Sequence, residues 1–235
     1  MTYSILARDP TTGALGAAVA SRFFAVGAIC NHLEGGVAAL STQALVNPMY
    51  AVLALPRLRA GEPSDEVLTS LVGADPGADQ RQFHILDAGG RIAQHTGAHC
   101  VAWAGHARGP DVSVAGNMLA GPQVVQRTLE AYLGCRSSLA ERLIYALEAG
   151  EAAGGDKRGK QSAALKICTR DPYPDLDIRA DDHPDPLAEL RRLYWVSQER
   201  FAIFRRHVPG RDNPSGTLDR SIIDADIARG RVPPG

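Results

Sequence analysis

The fold of this chain is decided by its first 27 residues, MTYSILARDPTTGALGAAVASRFFAVG. The segments on either side of Asp9-Pro10-Thr11-Thr12-Gly13 predict two β-strands that meet at a turn, because proline fixes φ and glycine accepts a positive φ. Strands joined in this way pair antiparallel, so the end of the second strand lies opposite the beginning of the first. The sequence therefore places Ser21 and Arg22 beside Thr2.

Thr2 directly follows the initiator methionine, and its small side chain is typical of positions from which that methionine is removed. A mature N-terminal threonine carries a hydroxyl group and an α-amine with a reference pKa of about 7.7 to 8.0. The amine can accept the proton of the hydroxyl at neutral pH, which is the pairing that N-terminal threonine nucleophiles use for acyl transfer. Arg22 would hold the pKa of this amine down and bind an anionic group; the alternative is a surface cation.

Length and charge narrow the classes of function. The 235 residues suffice for one domain with its own core, and 25 basic against 26 acidic residues favour neither nucleic acid nor an anionic membrane as a partner. No apolar run reaches the roughly 18 residues of a spanning helix, and no leader pattern is recognised, so we expect a cytoplasmic protein. Its four cysteines form no CxxC pair, which favours reduced and mostly buried thiols.

The order of elements predicts the fold class. Hairpins alternate with helix pairs: predicted strands at 28–33, 37–42, 82–87, 91–95, 112–115 and 162–168, and predicted helices at 49–60, 64–72, 123–133 and from Ser138 and Pro186 onward. Pro56 predicts a kink or a break in the helix at 49–60. Together these elements indicate an α+β fold in which antiparallel sheet is covered by helices.

The C-terminal residues differ in composition from the rest. From about Val208 the sequence is rich in Pro, Gly, Arg and Asp, which predicts an arm outside the core. Its Ile222, Ile223 and Ile227 are expected to dock on the domain or on a second subunit. We therefore divide the chain into a domain at 1–207 and an arm at 208–235, and we predict a possible homodimer.

The glycine-rich turn at residues 154–160 nearly matches a phosphate-binding loop. The match fails because Gln161 replaces the Ser or Thr that binds Mg²⁺, and because the turn leads from a helix into a strand. We interpret it as a polar turn in which Asp156, Lys160 and Gln161 contact a substrate. The alternative is a solvated helix-to-strand connection.

Other candidate sites are weak. His95, His99, Cys100 and His106 have no standard zinc spacing, so we predict no metal site. His95 is interpreted either as a hydrogen-bonding residue near a pocket or as a structural histidine. The acidic residues just before Pro186 favour helix capping over acid–base catalysis, and no GxSxG motif is present.

Many ordered motifs carry a family resemblance: Thr2-Tyr3-Ser4-Ile5, Arg8-Asp9-Pro10, Ala18-Val19-Ala20-Ser21-Arg22-Phe23, Ala25-Val26-Gly27, Thr42-Gln43-Ala44, Asn47-Pro48, His95-Thr96-Gly97, Gly116-Asn117-Met118-Leu119-Ala120-Gly121, Gly154-Gly155-Asp156, Gly159-Lys160-Gln161-Ser162-Ala163-Ala164 and Asp181-Asp182-His183-Pro184-Asp185-Pro186. Together they resemble the domain of unknown function 1028 family, over roughly residues 2–193. That family is similar in fold to the N-terminal nucleophile (Ntn) hydrolases.

The resemblance implies a four-layer αββα sandwich whose first strand starts at the nucleophile. By analogy with the proteasome-type members of the superfamily, Thr2 matches the N-terminal threonine, and Ser21-Arg22 matches a Ser-Arg pair after the second strand. The lysine that assists the threonine in those enzymes has no clear counterpart here.

These observations predict a hydrolase of an amide-type C–N bond in a small, carboxylate-bearing substrate, without a cofactor. The predicted catalytic residues are Thr2, Arg22 and Asn117, with Asn117 or a backbone amide stabilising the oxyanion. The predicted substrate-binding residues are Gln43, Asn47, His95, Asp156, Lys160 and Gln161. The alternative function is non-catalytic binding of a metabolite or partner on the same fold, with Met1 retained.

Overall fold

The computed structural model describes residues 2–230, so Met1, on whose removal the predicted chemistry depends, lies outside the described residues. The ten strands described are β1 (Thr2–Arg8), β2 (Leu15–Ser21), β3 (Asn31–Glu34), β4 (Ala38–Ala44), β5 (Arg81–Asp87), β6 (Ile92–Thr96), β7 (Gly105–Gly109), β8 (Val112–Asn117), β9 (Ser162–Cys168) and β10 (Leu176–Ala180). The helices are α1 (Met49–Arg59), α2 (Ser64–Gly73), α3 (Pro122–Gly134), α4 (Leu139–Ala152), α5 (Pro186–Glu199), α6 (Phe201–Phe204) and α7 (Arg220–Gly230). Within 2–230, no helix combines the length and apolar character needed to cross a bilayer.

The strands form two antiparallel sheets. One has six strands in the order β10-β9-β2-β1-β8-β7, and the other has four in the order β3-β4-β5-β6. The first hairpin is confirmed, since β1 and β2 pair with Thr2 opposite Ser21. On its other side β1 pairs with β8, where Thr2 lies opposite Asn117. Thr2 therefore begins a strand that is held from both sides.

Side-chain alternation along the strands separates the core into layers. Tyr3 and Ile5 on one face of β1 pack with α3 and α4 residues such as Leu143, while Phe83 and Ile85 of β5 pack with residues of α1 and α2. A third cluster, which includes Leu6 and Leu86, fills the space between the sheets. The result is the predicted four-layer αββα sandwich of two antiparallel sheets, which is confirmed.

The layer between the sheets changes character along its length. At the end far from Thr2 it is apolar and contains Leu6, Leu15 and Leu86. Nearer to Thr2 the inward-facing side chains are polar. Ser4 precedes Leu6 by two residues on β1, His84 precedes Leu86 by two residues on β5, and both are fully buried. Because buried polar groups need hydrogen-bonding partners, this end of the sandwich has to contain a connected polar network.

Three local predictions were incomplete or wrong. Strands β7 and β10 were missed, because Gly-His-Ala-Arg-Gly reads as a loop and β10 follows a proline-rich segment. Helix α1 continues through Pro56 without a break. The pyrrolidine ring lies on the exposed face of α1, where water can satisfy the carbonyl that loses its partner.

The segment after residue 200 adds a small cluster of its own. Ile223 and Ile227 of α7 are buried against Ile203 of α6, whereas Ile222 is 51% exposed. His207 fastens the same region, since its ring nitrogens lie 3.0 Å from Thr217 Oγ1 and 3.0 Å from Asp226 Oδ2. The division of the chain at residue 208 stays a prediction.

Ile223→Asp is expected to release α7 while leaving the sandwich folded, because burying a carboxylate in an apolar cluster costs several kcal/mol. Limited proteolysis should cut the segment at 208–220 faster than in the unmodified protein. Ile222→Asp is the matched control, since that neighbouring side chain is half exposed and should tolerate the charge. Equal cleavage rates in the two variants would contradict this account of how α7 is held.

Candidate active site

Thr2 is the first residue of β1, an inner strand of the six-stranded sheet, and its side chain is directed between the sheets. Its Oγ1 is 3.2 Å from Ser21 Oγ, and the residue is 5% exposed. Ser21 and Asn117 flank it on the neighbouring strands. The next residue of β2, Arg22, uses its backbone N–H to donate to Asp156 Oδ2 at 2.9 Å and its guanidinium to donate to Lys160 O at 3.0 Å.

The glycine-rich turn at residues 154–160, together with Gln161, passes across the strand ends at which Thr2 lies. At one end Ala120 N donates to Gly155 O at 3.1 Å, just beyond the end of β8. At the other end Gln161 N donates to Ser21 O at 3.0 Å. Gly155 has φ +44, which a residue with a side chain adopts only with strain. The turn therefore brings Asp156, which is 5% exposed, to the end of β2.

Two side chains at the end of this turn, Lys160 and Gln161, are directed to the segment before α5. Lys160 Nζ forms an ion pair with Asp185 Oδ2 at 3.1 Å, and Gln161 Nε2 donates to Asp182 Oδ1 at 3.1 Å. Asp185 also caps α5 by accepting from Ala188 N at 3.3 Å, as the sequence predicted. These contacts hold the turn in place without the help of a substrate.

A chain of buried hydrogen bonds crosses between the two sheets beneath the start of β1. Ser4 Oγ donates to Gln43 Oε1 at 2.7 Å, and this uses the only hydroxyl proton of Ser4. His84 Nε2, 2.9 Å from Ser4 Oγ, must therefore carry a proton and donate it. Its other nitrogen, Nδ1, accepts from Ser113 Oγ at 2.7 Å, and Gln94 Nε2 donates to that oxygen at 2.9 Å. The partners thus fix one tautomer of His84.

The same burial keeps His84 neutral. Removal from water, with a smaller contribution from the electrostatic interaction with His106, lowers the pKa of the His84 imidazole to about 3. A protonated ring would have two donors, and Nδ1 could no longer accept from Ser113. The histidine is therefore a fixed connector at neutral pH and not a proton donor to a substrate.

This chain of hydrogen bonds ends at the carbonyl oxygen of Thr2. Gln43 Nε2 and Asn117 Nδ2 each lie 3.4 Å from Thr2 O. The two amides also donate to Gln82 Oε1, at 2.6 and 3.2 Å. Gln43 and Asn117 are 1% and 2% exposed, so both lie buried beneath Thr2 and hold its main chain.

Two other predicted substrate contacts have different surroundings. Asn47 Oδ1 accepts from Met49 N at 3.1 Å at the start of α1, and its amide nitrogen donates to Asp75. His95 Nε2 lies 2.9 Å from Ala78 O. Its neighbours along β6, Gln94 and Thr96, bond towards β7 and β8, so the alternation of the strand directs His95 away from them. Neither residue makes a described contact with Thr2.

A cavity of about 230 Å³ opens next to Asn117, between the ends of β4 and β8. Residues 99–101 form its outer wall. Burial raises the pKa of the Cys100 thiol in this wall, whose Sγ donates to Arg81 O at 3.3 Å. The cavity borders the strand neighbour of Thr2 and is therefore a candidate substrate pocket.

Sequence reasoning missed five members of the polar network: Ser4, Gln82, His84, Gln94 and Ser113. A signal was present, since Gln82 and His84 alternate with Phe83 and Ile85 in a strand that is apolar on its other face. Such alternation usually predicts an exposed face. These side chains are buried because the other sheet packs against them. The sequence did not predict which residues of the two sheets face each other.

One protein family and two solved structures are similar to this chain. The family of unknown function DUF1028 matches residues 2–190. The crystal structure of protein SPO2555 from Silicibacter pomeroyi, of family DUF1028, is similar with a TM-score of 0.87 and 30% identity, over 93% of this chain and 96% of that one. Anbu, the ancestral β-subunit from Yersinia bercovieri, gives a TM-score of 0.38 and 14% identity over 88% and 98% of the two chains. No curated protein matches the sequence.

Proposed function

This chain belongs to DUF1028, a family of unknown function, so its chemistry has to be argued from its own residues, and we propose that it is an Ntn-type amidohydrolase. In this proposal Thr2 becomes the N-terminus after Met1 is removed. It then hydrolyses an amide-type C–N bond in a small, carboxylate-bearing substrate, without a cofactor. We also propose a cytoplasmic location and a possible homodimer. Size-exclusion chromatography with light scattering would measure the mass of the particle in solution.

One observation carries the proposal. A threonine at the start of a central strand has its main chain held by two amides and its hydroxyl 3.2 Å from Ser21, beside a cavity and beneath a turn rich in cations. Structural stability alone does not require a row of buried polar groups at a sheet edge, since burying polar groups costs free energy unless every partner is in place. Positioning a reactive residue is what such a network does well.

The proposed reaction has two steps. The Thr2 hydroxyl oxygen attacks the amide carbon while the α-amine of Thr2 takes its proton, and the C–N bond then breaks as the departing amine receives that proton. Water cleaves the resulting ester, with the α-amine again moving the proton, and restores the hydroxyl. Both protons of the Asn117 amide are directed to Thr2 O and Gln82 Oε1, which favours a backbone N–H as the oxyanion donor.

The remaining predicted residues have supporting roles in this proposal. Arg22 and Asp156 fasten the glycine-rich turn over Thr2, and Gln43 holds the carbonyl of Thr2. Lys160 and Gln161 fix the other side of the turn. Asn47 and His95 support the elements that border the cavity. The alternative function, a binding protein with Met1 retained, uses the same cleft without the nucleophile.

Intact-mass spectrometry of the purified protein is expected to show the loss of one methionine. A β-lactone probe should then add its whole mass once, because Thr2 opens the ring and the released oxygen stays attached. Peptide mapping should place the adduct on the N-terminal peptide. Retention of Met1, or an adduct only on a cysteine, would favour the binding-protein alternative.

A further inference from the structure

The cavity beside Asn117 differs in chemistry from the turn that crosses above Thr2. We infer that this cavity is the acyl-group subsite of the proposed hydrolase and that it takes a short, uncharged, aliphatic acyl group, so that the substrate is an N-acyl amino acid whose carboxylate lies on the amine side. The inference rests on the proposed function and adds which half of the substrate carries the charge.

Position is the first argument. Asn117 lines the cavity and is the direct strand partner of Thr2, which places their Cα atoms about 5 Å apart. The hydroxyl of Thr2 is held on the opposite side, towards Ser21. In the inferred arrangement, an acyl group bonded to that oxygen extends back past Thr2 to the Asn117 side, where the cavity opens.

The walls of the cavity are the second argument. Its lining residues include no Lys, Arg, Asp or Glu, and four of them are the aliphatic or thioether side chains of Ala44, Leu45, Val101 and Met118. Leu45 and Val101 come from different segments and are each 55% exposed. Single exposed aliphatic residues are ordinary, but two that converge on one concave site next to a nucleophile leave apolar surface that an aliphatic group would cover.

Size is the third argument. A volume of about 230 Å³ equals the space of roughly eight waters in the liquid, which suits an acyl group of about four to six non-hydrogen atoms. It is too small for a peptide or a long acyl chain.

Hydrogen bonds from two directions hold the outer loop of the cavity in place. Met118 N donates to Val101 O at 2.7 Å, and Lys157 Nζ donates to Ala102 O at 2.8 Å, so the loop at 99–103 is fixed to the end of β8 and to the glycine-rich turn. Ala44 and Met118, both in the lining, have φ +69 and φ +56. Backbone strain at non-glycine residues is tolerated where it maintains a site.

The turn above Thr2 supplies the opposite chemistry. It carries Lys157, Arg158 and Lys160; Arg158 pairs with Asp156 and Lys160 with Asp185, so these five charges leave the turn with a net charge of +1. A carboxylate on the amine side of the amide would lie towards these cations, whereas a carboxylate on the acyl side would lie against Leu45 and Val101, in a cavity lined by no Lys or Arg.

Cys100 reports occupancy of the cavity without any turnover, since it lines the cavity and is partly exposed. Isovaleramide should slow its alkylation by the factor 1 + [L]/Kd, roughly fivefold at four times Kd. Succinamate, of similar size but charged on the acyl side, should give no protection, and neither should change the rate at Cys135. Val101→Trp should abolish the protection, whereas Val52→Trp, at an equally exposed valine of α1, should keep it.

Hydrolysis separates this inference from the proposed function. Isovalerylglycine should be cleaved in preference to succinylglycine by at least roughly tenfold, the effect of about 1.4 kcal/mol. Protection of Cys100 without cleavage of either compound would reject the hydrolase and leave an uncharged-ligand site. Cleavage without preference, or equal protection by isovaleramide and succinamate, would overturn the subsite.

Discussion

Thr2→Ala is expected to lower kcat/KM for amide hydrolysis by roughly 10³-fold or more, because it removes the proposed attacking oxygen. The other hydroxyl groups of β1, on Tyr3 and Ser4, are buried and donate to Leu147 O and Gln43 Oε1. Alanine is as small as threonine, so removal of Met1 should be unaffected. The fold should also be unaffected, since the hydroxyl makes one described hydrogen bond, to Ser21 at 3.2 Å. Initial rates with isovalerylglycine, and the β-lactone adduct by intact mass, measure the effect.

Thr2→Ser is the matched control for this substitution. Serine keeps the hydroxyl and the α-amine and loses only a methyl group, so it should retain measurable turnover and still form the adduct. Full activity in Thr2→Ala, with thermal unfolding unchanged, would assign the reaction to another residue. Circular dichroism tests whether either variant unfolds. If both variants lose activity and are unfolded, the substitutions act on the stability of β1 and not on the hydroxyl.

The sequence predicted the part of the fold that local rules determine. The hairpin of β1 and β2 follows from one turn and two apolar strands, and its antiparallel pairing alone placed Ser21 opposite Thr2. The capping of α5 by Asp185 follows from a side-chain oxygen at a helix start. The four layers came from the family resemblance, because no local pattern says which two sheets face each other.

The candidate site was predicted only in part, for the same reason. Asn117 could be placed by the resemblance, but its pairing with Thr2 depends on β8, which is more than 100 residues away in the chain. Gln43 was expected to contact substrate, whereas its amide lies buried between Ser4 and the carbonyl of Thr2. Which polar residue faces a pocket and which faces the opposite sheet is decided by register between sheets, and a single strand does not contain that information.

The polar network also explains why the residues around Thr2 have few alternative hydrogen-bond arrangements. The series of hydrogen bonds runs from Gln94 through Ser113, His84, Ser4 and Gln43 to Thr2 O. Because each hydroxyl in this series has only one proton to donate, the direction of one bond determines the direction of its neighbour. Reversing one bond leaves a buried acceptor facing an acceptor, at a cost of about 1 to 3 kcal/mol. The network therefore specifies one geometry for the main chain of Thr2, and His84 is its central member.

The free energy of unfolding is expected to fall by about 2 kcal/mol between pH 7 and pH 5 because of His84 alone. The folded state keeps the His84 pKa at about 3, whereas the unfolded imidazole titrates near its reference pKa of 6.5. Below pH 6.5 the His84 side chain is therefore protonated in the unfolded state but not in the folded state, and stability is lost as the pH falls towards 3. The buried groups that face the ring, Ser4 and Ser113, are uncharged hydroxyls and supply no negative charge that would stabilise an imidazolium.

Urea unfolding of the unmodified protein and of His84→Gln, at pH 7 and pH 5, isolates this contribution. The glutamine amide can still donate to Ser4 and accept from Ser113, but it does not titrate, so its loss of stability over this range should be smaller by about 2 kcal/mol. His32 and His106, whose pKa values burial also lowers, remain in both proteins and cancel in the difference. Staying at or above pH 5 keeps most carboxylates ionised in both states. Equal pH dependence in the two proteins would mean that His84 takes up a proton in the folded state, and the fixed tautomer beneath Thr2 would then be wrong.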